Sequence, residues 1–131
     1  MKLLVIAVLL FTSVIAVQCL RAELKDIMDQ CKKDNNVSEE EDRAFIESSM
    51  DKSKATNNIK CSSKCYLEKV KILVDGDLVA DALPGYAEKT SIENVQLAVD
   101  KCNKESGVDE CDDAFQKGFC LHETLHLHRV Q

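Results

Sequence analysis

Two groups of residues in this 131-residue chain could do chemistry: seven cysteines, and three histidines confined to the last ten positions. His122-Glu123-Thr124-Leu125-His126 matches H-E-x-x-H, in which two imidazoles one helical turn apart bind zinc and the glutamate activates water. The expectation is nevertheless that the chain is not an enzyme. The motif stands five residues before Gln131, with no downstream helix to build a substrate cleft. Metal capture by His122, His126 and His128 suits imidazole chemistry, but no second shell can be named for it. A solvated, partly frayed tail is the simpler reading, so no metal and no cofactor is expected.

Six cysteines fall in one register: Cys31, then Cys61-x3-Cys65, then Cys102-x8-Cys111-x8-Cys120. Cys19 closes a different kind of segment, in which Lys2 precedes an almost wholly apolar run from Leu3 to Val17. Residues 1–19 therefore read as a secretory signal cleaved after Cys19 or Gln18, with one domain over 20–131. Thr12 and Ser13 break the run below the roughly 18 apolar residues of a membrane span, so no stable membrane insertion is expected. Removing 19 of 131 residues leaves 112, with an even six cysteines. That parity fits structural disulfides in an extracellular compartment better than catalysis or metal ligation.

Without Lys2 the chain carries 16 basic against 23 acidic residues, a balance of about −7. So acidic a surface excludes nucleic acid as a natural partner. A domain of this length with no Trp and few aromatics has a modest core and needs covalent help.

The periodicity is helical throughout. Leu24, Ile27, Met28 and Cys31 form the stripe of a first helix, interrupted at Asn35-Asn36. Ser38-Glu-Glu-Glu41 is a capping box opening a second, with Phe45 and Ile46 behind it. A third is predicted from about Ile59 to Val74, carrying Cys61 and Cys65 with Tyr66, Val70 and Leu73, and Asp75-Gly76-Asp77 then turns. Leu78 to Leu83 reads as a short fourth helix stopped by Pro84-Gly85. Thr90-Ser-Ile-Glu93 offers a capping box for a fifth, whose stripe is Ile92, Val95, Val99 and Cys102 and which ends near Gly107; Asp109 can cap a sixth. No sustained period-2 alternation, internal repeat or linker is present.

Cys61 and Cys65 lie one turn apart on one helix face, so they need two different partners. Cys111 and Cys120 are nine residues apart, about 900° of helical rotation, which aims them at opposite flanks of the last helix. Six cysteines still permit 15 pairings, and spacing does not choose among them.

The whole pattern, behind a signal-like segment in an acidic helical chain, resembles the classical six-cysteine insect odorant-binding proteins, the pheromone- and general-odorant-binding family. The resemblance implies an all-α bundle of about six helices stapled by three disulfides around an apolar cavity. It implies the pairs Cys31–Cys65, Cys61–Cys111 and Cys102–Cys120, which satisfy the geometric conditions above. The implied function is carriage of small apolar molecules through aqueous fluid, with a chemosensory receptor as a further partner. Monomer and weak homodimer both fit.

Candidate lining residues are the inward apolar positions Leu24, Ile27, Met28, Tyr66, Val70, Leu73, Leu78, Leu83, Val95, Val99, Phe115 and Phe119. Each competes with the plainer role of ordinary core. Tyr66 has the hydroxyl best suited to orient a polar head. Burying about ten methylenes gains about 8 kcal/mol gross, and association costs bring that to micromolar binding. The resemblance also suggests a tail that packs over the cavity mouth through Leu121, Leu125, Leu127 and Val130 and is released when His122, His126 and His128 charge.

A secreted phospholipase would need an apposed His-Asp pair and a Gly-rich calcium loop, which this chain lacks; saposin-like and plant lipid-transfer proteins space their cysteines differently. The rival lies within the fold: recruitment to another fluid as a scavenger of amines or lipids, or as a signalling protein. Amine capture calls for inward carboxylates, and Glu68, Asp81 and Asp100 lie near candidate faces. Asn36-Val37-Ser38 is a glycosylation sequon in an expected loop.

Overall fold

The computed structural model describes residues 2–83 and 91–130, with side chains from Gln18 to Leu83 and from Ser91 to Leu125. It is all-α, with five helices among the described residues: α1 (Lys2–Asp34), α2 (Glu39–Glu47), α3 (Asn57–Lys69), α4 (Ile92–Cys102) and α5 (Glu110–Val130). Single 3-10 turns occupy Lys52–Lys54 and Ala80–Ala82, and a small antiparallel hairpin pairs β1 (Leu73–Val74) with β2 (Asp77–Leu78). Among the described residues no helix is long and apolar enough to cross a membrane.

Helix starts follow the capping chemistry. Ser38 and Glu41 satisfy each other's backbone amides in a full capping box at α2, and Thr56 accepts from the Ile59 amide to open α3. Asp109 accepts from the Asp112 amide at the head of α5. The start of α4 departs from expectation: Ser91 is the N-cap and bonds the Asn94 amide, so Glu93 is not its reciprocal partner. That register turns Val95, Ala98, Val99 and Cys102 inward and leaves Ile92 at 75% exposure. Thr90 lies outside the described residues.

Three helices end alike. Asn36 (φ 55°), Ser49 (φ 58°) and Lys71 (φ 62°) each take the left-handed position after the cap, where glycine is usual. At each, two amides fold back on the last turn, as where Val37 bonds the Lys32 carbonyl and Ile72 that of Leu67. This closure corrects the third helix, which stops at Lys69 and does not reach Val74. Beyond it the β-branched Ile72 and Val74 lead into Asp75-Gly76, whose φ values of 52° and 87° suit a two-residue hairpin turn. Leu73 therefore enters the core from a strand. Leu78–Leu83 is likewise strand and 3-10 turn, not a helix, because the Leu78 backbone is spent on Asn103. The stop at Pro84-Gly85 lies outside the described residues. Helix α4 ends at Cys102, short of Gly107, with Asn103 as its cap, and the Asn103 side chain makes those bonds to the Leu78 amide and carbonyl at 2.7 and 3.0 Å.

Disulfides join Cys31 to Cys65, Cys61 to Cys111 and Cys102 to Cys120. They tie α3 to α1 and to α5, and α5 to α4, so adjacent cysteines on α3 serve opposite neighbours and α5 is held on two flanks. Helices α3 and α5 approach closely where Gly118 faces Leu67, with room for no Cβ: one would stand 2.7 Å from Leu67 Cδ1. Gly107 is tighter still, because a Cβ there would overlap the backbone of Asp112 and Asp113. Gly107→Ala should therefore cost about 1–3 kcal/mol, read as a lower denaturant midpoint at unchanged m. A neutral result would mean that the loop before α5 can move aside.

Candidate functional site

An apolar cluster fills the space between α3, the hairpin, α4 and α5. Leu67, Leu73, Leu78, Leu83, Val95, Ala98, Val99, Ala114, Leu121 and Leu125 belong to it, together with the Cys102–Cys120 bridge. Tyr66, Ile72 and Ala80 pack on its margin. Each element contributes for a local reason. Cross-strand pairing of Leu73 with Leu78 puts both side chains on one face of the hairpin, and the i, i+4 pair Leu121 and Leu125 continues the inward line of α5 from Ala114.

Of the twelve expected lining residues, this cluster gathers Leu73, Leu78, Leu83, Val95 and Val99, with Tyr66 at its edge. Phe115 and Phe119 lie apart from it, in contact with each other at 5.8 Å between ring centroids; Phe115 also meets Phe45 of α2 at 6.3 Å. Lys52 sits 4.9 Å over the Phe119 ring. On α1, Leu24 and Ile27 are half-buried and Met28 is 40% exposed; Val70 is half-buried at the end of α3. Leu67, Ala98, Leu121 and Leu125 are additional members. Leu121 and Leu125 do carry a sequence signal, their i, i+4 spacing, but it is shared with a tail stripe.

The hairpin is held against α5 by a buried lysine. The Lys117 ammonium donates to the Gly76 carbonyl at 2.7 Å and pairs with Asp113 at 2.9 Å and Asp77 at 3.4 Å. Burial pulls its pKa down, but Asp113 and Asp77 outweigh that and hold it above the ordinary lysine value. No sequence signal marks this residue.

At the head of α5 the buried Asp112 accepts from Lys60 at 2.8 Å and from the Val108 amide at 3.0 Å. Lys60 first, then that amide, hold its carboxyl below the ordinary value of 3.8. A depressed carboxyl contributes stability that is complete above the unfolded value and lost as pH falls through the folded one. Thermal scans between about pH 6 and about pH 2 should show Asp112→Asn less stable at the upper end and less steep at the acid end. Parallel curves would mean that the pair does not contribute.

Beside this region a cleft of about 530 Å³ opens, lined by Leu73, Gly76, Val108 and Ala114 but also by Glu68, Asp75, Asp109, Glu110 and Asp113 against Lys64. Lys64 reaches Glu110 at 3.0 Å and Glu68 at 3.6 Å, and Asp113 is committed to Lys117. Asp81 and Asp100 are exposed and line neither place. His122 is exposed on α5, and the side chains of His126, Leu127, His128 and Val130 lie outside the described set. Among the described residues no three His, Cys, Asp or Glu side chains group to hold a metal.

The family described as PBP/GOBP matches residues 16–124. General odorant-binding protein 56a of Drosophila melanogaster is 32% identical over 98 residues, 74% of this chain and 69% of that protein. A solved structure of the fatty acid binding protein OBP56a from the oral disk of the blowfly Phormia regina superimposes with a TM-score of 0.69 at 30% identity, over 80% of this chain and 90% of that one. The Drosophila melanogaster odorant-binding protein dmelOBP28a shares the fold, with a TM-score of 0.62 at 18% identity over 86% and 97%.

Proposed function

The chain belongs to the PBP/GOBP family, non-enzymatic proteins that bind small hydrophobic ligands, and from that premise we propose that it is a secreted carrier of odorants or pheromones with long aliphatic chains. The observation that carries this reading is the composition of the cluster: Leu73, Leu78, Leu83, Val95, Val99, Leu121 and Leu125 are aliphatic and would give aliphatic walls to a ligand taken in among them, and the aromatic pair Phe115–Phe119 stands elsewhere. Such walls reward methylene burial at about 0.8 kcal/mol per group and do not provide ring stacking. The name of the blowfly relative supports the same ligand class. The Tyr66 side chain, at the cluster's margin, is the group to orient a polar head.

The test is displacement of an apolar fluorophore from the oxidised protein by fatty acids, long-chain alcohols, aromatic volatiles and amines. Micromolar displacement by the aliphatic series is expected. Failure of a folded sample to bind the probe would overturn the reading. We further propose that the segment after Leu125 closes over the cluster and is released when His122, His126 and His128 charge. Release should then rise from about pH 7 to about pH 5 in the native protein and stay flat in the triple alanine variant. Equal profiles would exclude the histidines.

A second reading has the acidic cleft behind it. As a scavenger in another fluid, the protein would take a protonated amine among Glu68, Asp75 and Asp109. Displacement by amines alone, weakened by salt, would favour this reading over the carrier.

A further inference from the structure

Of the chain's six asparagines only Asn36 is followed two places on by a hydroxyl residue, in Asn36-Val37-Ser38. We propose that Asn36 is a site of N-linked glycosylation. Sequons of this kind are short and common, so the weight rests on what the fold does with this one. Asn36 occupies the left-handed position that closes α1, with φ 55°, in the short connection before α2. It is exposed. Its backbone is fully engaged, the amide with the Lys33 carbonyl at 3.2 Å and the carbonyl with the Asn58 side chain at 3.3 Å. Its side-chain amide makes no hydrogen bond with a described residue. The adjacent Asn35 shows the alternative, since its side chain is bonded to the Cys31 carbonyl at 2.8 Å. One asparagine side chain bonds back onto the helix and the other presents a free amide to solvent. A glycan on Asn36 would leave the Cys31–Cys65 bridge and the apolar cluster undisturbed.

The chemistry is a group transfer with no redox change. The Asn36 Nδ2 attacks the anomeric carbon of an oligosaccharide carried on a lipid pyrophosphate. A C–N bond forms, the C–O bond to pyrophosphate breaks, and the amide proton leaves to base while the lipid pyrophosphate departs. The hydroxyl that completes the sequon is that of Ser38, whose oxygen accepts from the Glu41 amide at 3.1 Å once α2 has formed. Transfer therefore belongs to the nascent chain, before the capping box closes.

The experiment is expression of the full chain in cultured insect cells, with intact and peptide mass analysis of protein recovered from the medium. The expected result is a glycan mass removed by peptide N-glycosidase, leaving aspartate at position 36. Asn36→Asp, which keeps a residue tolerant of the left-handed backbone, should abolish it. Ser38→Thr should retain it, because threonine preserves both sequon and cap. A secreted protein whose Asn36 peptide is unmodified would overturn the proposal, as would a glycan that survives Asn36→Asp. Retention inside the cells would count against residues 1–19 as a signal instead. A heterologous leader before residue 20 then puts the same sequon through the same compartment, where an unmodified Asn36 would again overturn the proposal.

Discussion

Replacing Cys61 and Cys111 together by alanine should cost about 4 kcal/mol, the largest loss among the three bridges. In the chain-entropy treatment the effect grows with the residues enclosed. The sequence separations are 50 for Cys61–Cys111, 34 for Cys31–Cys65 and 18 for Cys102–Cys120. The shortest loop should then cost about 3 kcal/mol. Domains of this size are stable by only about 5–15 kcal/mol, so losing the longest staple should leave a marginal protein. Denaturant midpoints of the three double-alanine variants give the ranking. Burial predicts the opposite order, since Cys102 is fully buried and Cys120 nearly so, whereas Cys61 and Cys111 are half-exposed. If the Cys102–Cys120 variant proved the least stable, packing around the bridge would outweigh loop closure.

Leu73→Ala should cost about 2–5 kcal/mol, and Leu78→Ala a similar amount. Both side chains are almost wholly buried, at 2% and 3% exposure, and they are cross-strand partners on one face of the hairpin. Either truncation opens a cavity that the other lines, so the double variant should lose less than the two singles added. Equilibrium unfolding of the four proteins measures this directly. On the proposed ligand class the enlarged space should also move the preferred aliphatic chain to greater length. A single-variant loss below about 1 kcal/mol would mean that the hairpin is not packed into the cluster.

The same leucines show how far the sequence could be followed. The i, i+4, i+7 line through Tyr66, Val70 and Leu73 satisfies a helix, yet the chain leaves the helix at Lys71 and returns Leu73 to the core from a strand. Inward positions come out alike from either local structure. Residue lists therefore survive an error in element type, as they do for Leu73, Leu78 and Leu83. Phe115 and Phe119 show the reverse case: apolar character marks them as inward, but not which interior they enter. Their partner Phe45 is 70 residues upstream of Phe115, and no local pattern joins the two.

The amino-acid sequence by itself determined the family, the all-helical class, the helix start at Ser38 and the need for Cys61 and Cys65 to part company. These depend on chemistry within one or two helical turns, or on the cysteine register as a whole. Only the tertiary structure decided that Lys117 anchors the Gly76 turn and that the Asn103 side chain at the end of α4 bonds the Leu78 backbone. It alone separated the aliphatic cluster from the aromatic flank and the acidic cleft. Each of these joins residues about 25 or more apart in the chain, or divides neighbours on one helix between two surroundings. Side-chain type records a preference for burial, but the identity of the neighbour is set only when whole elements pack.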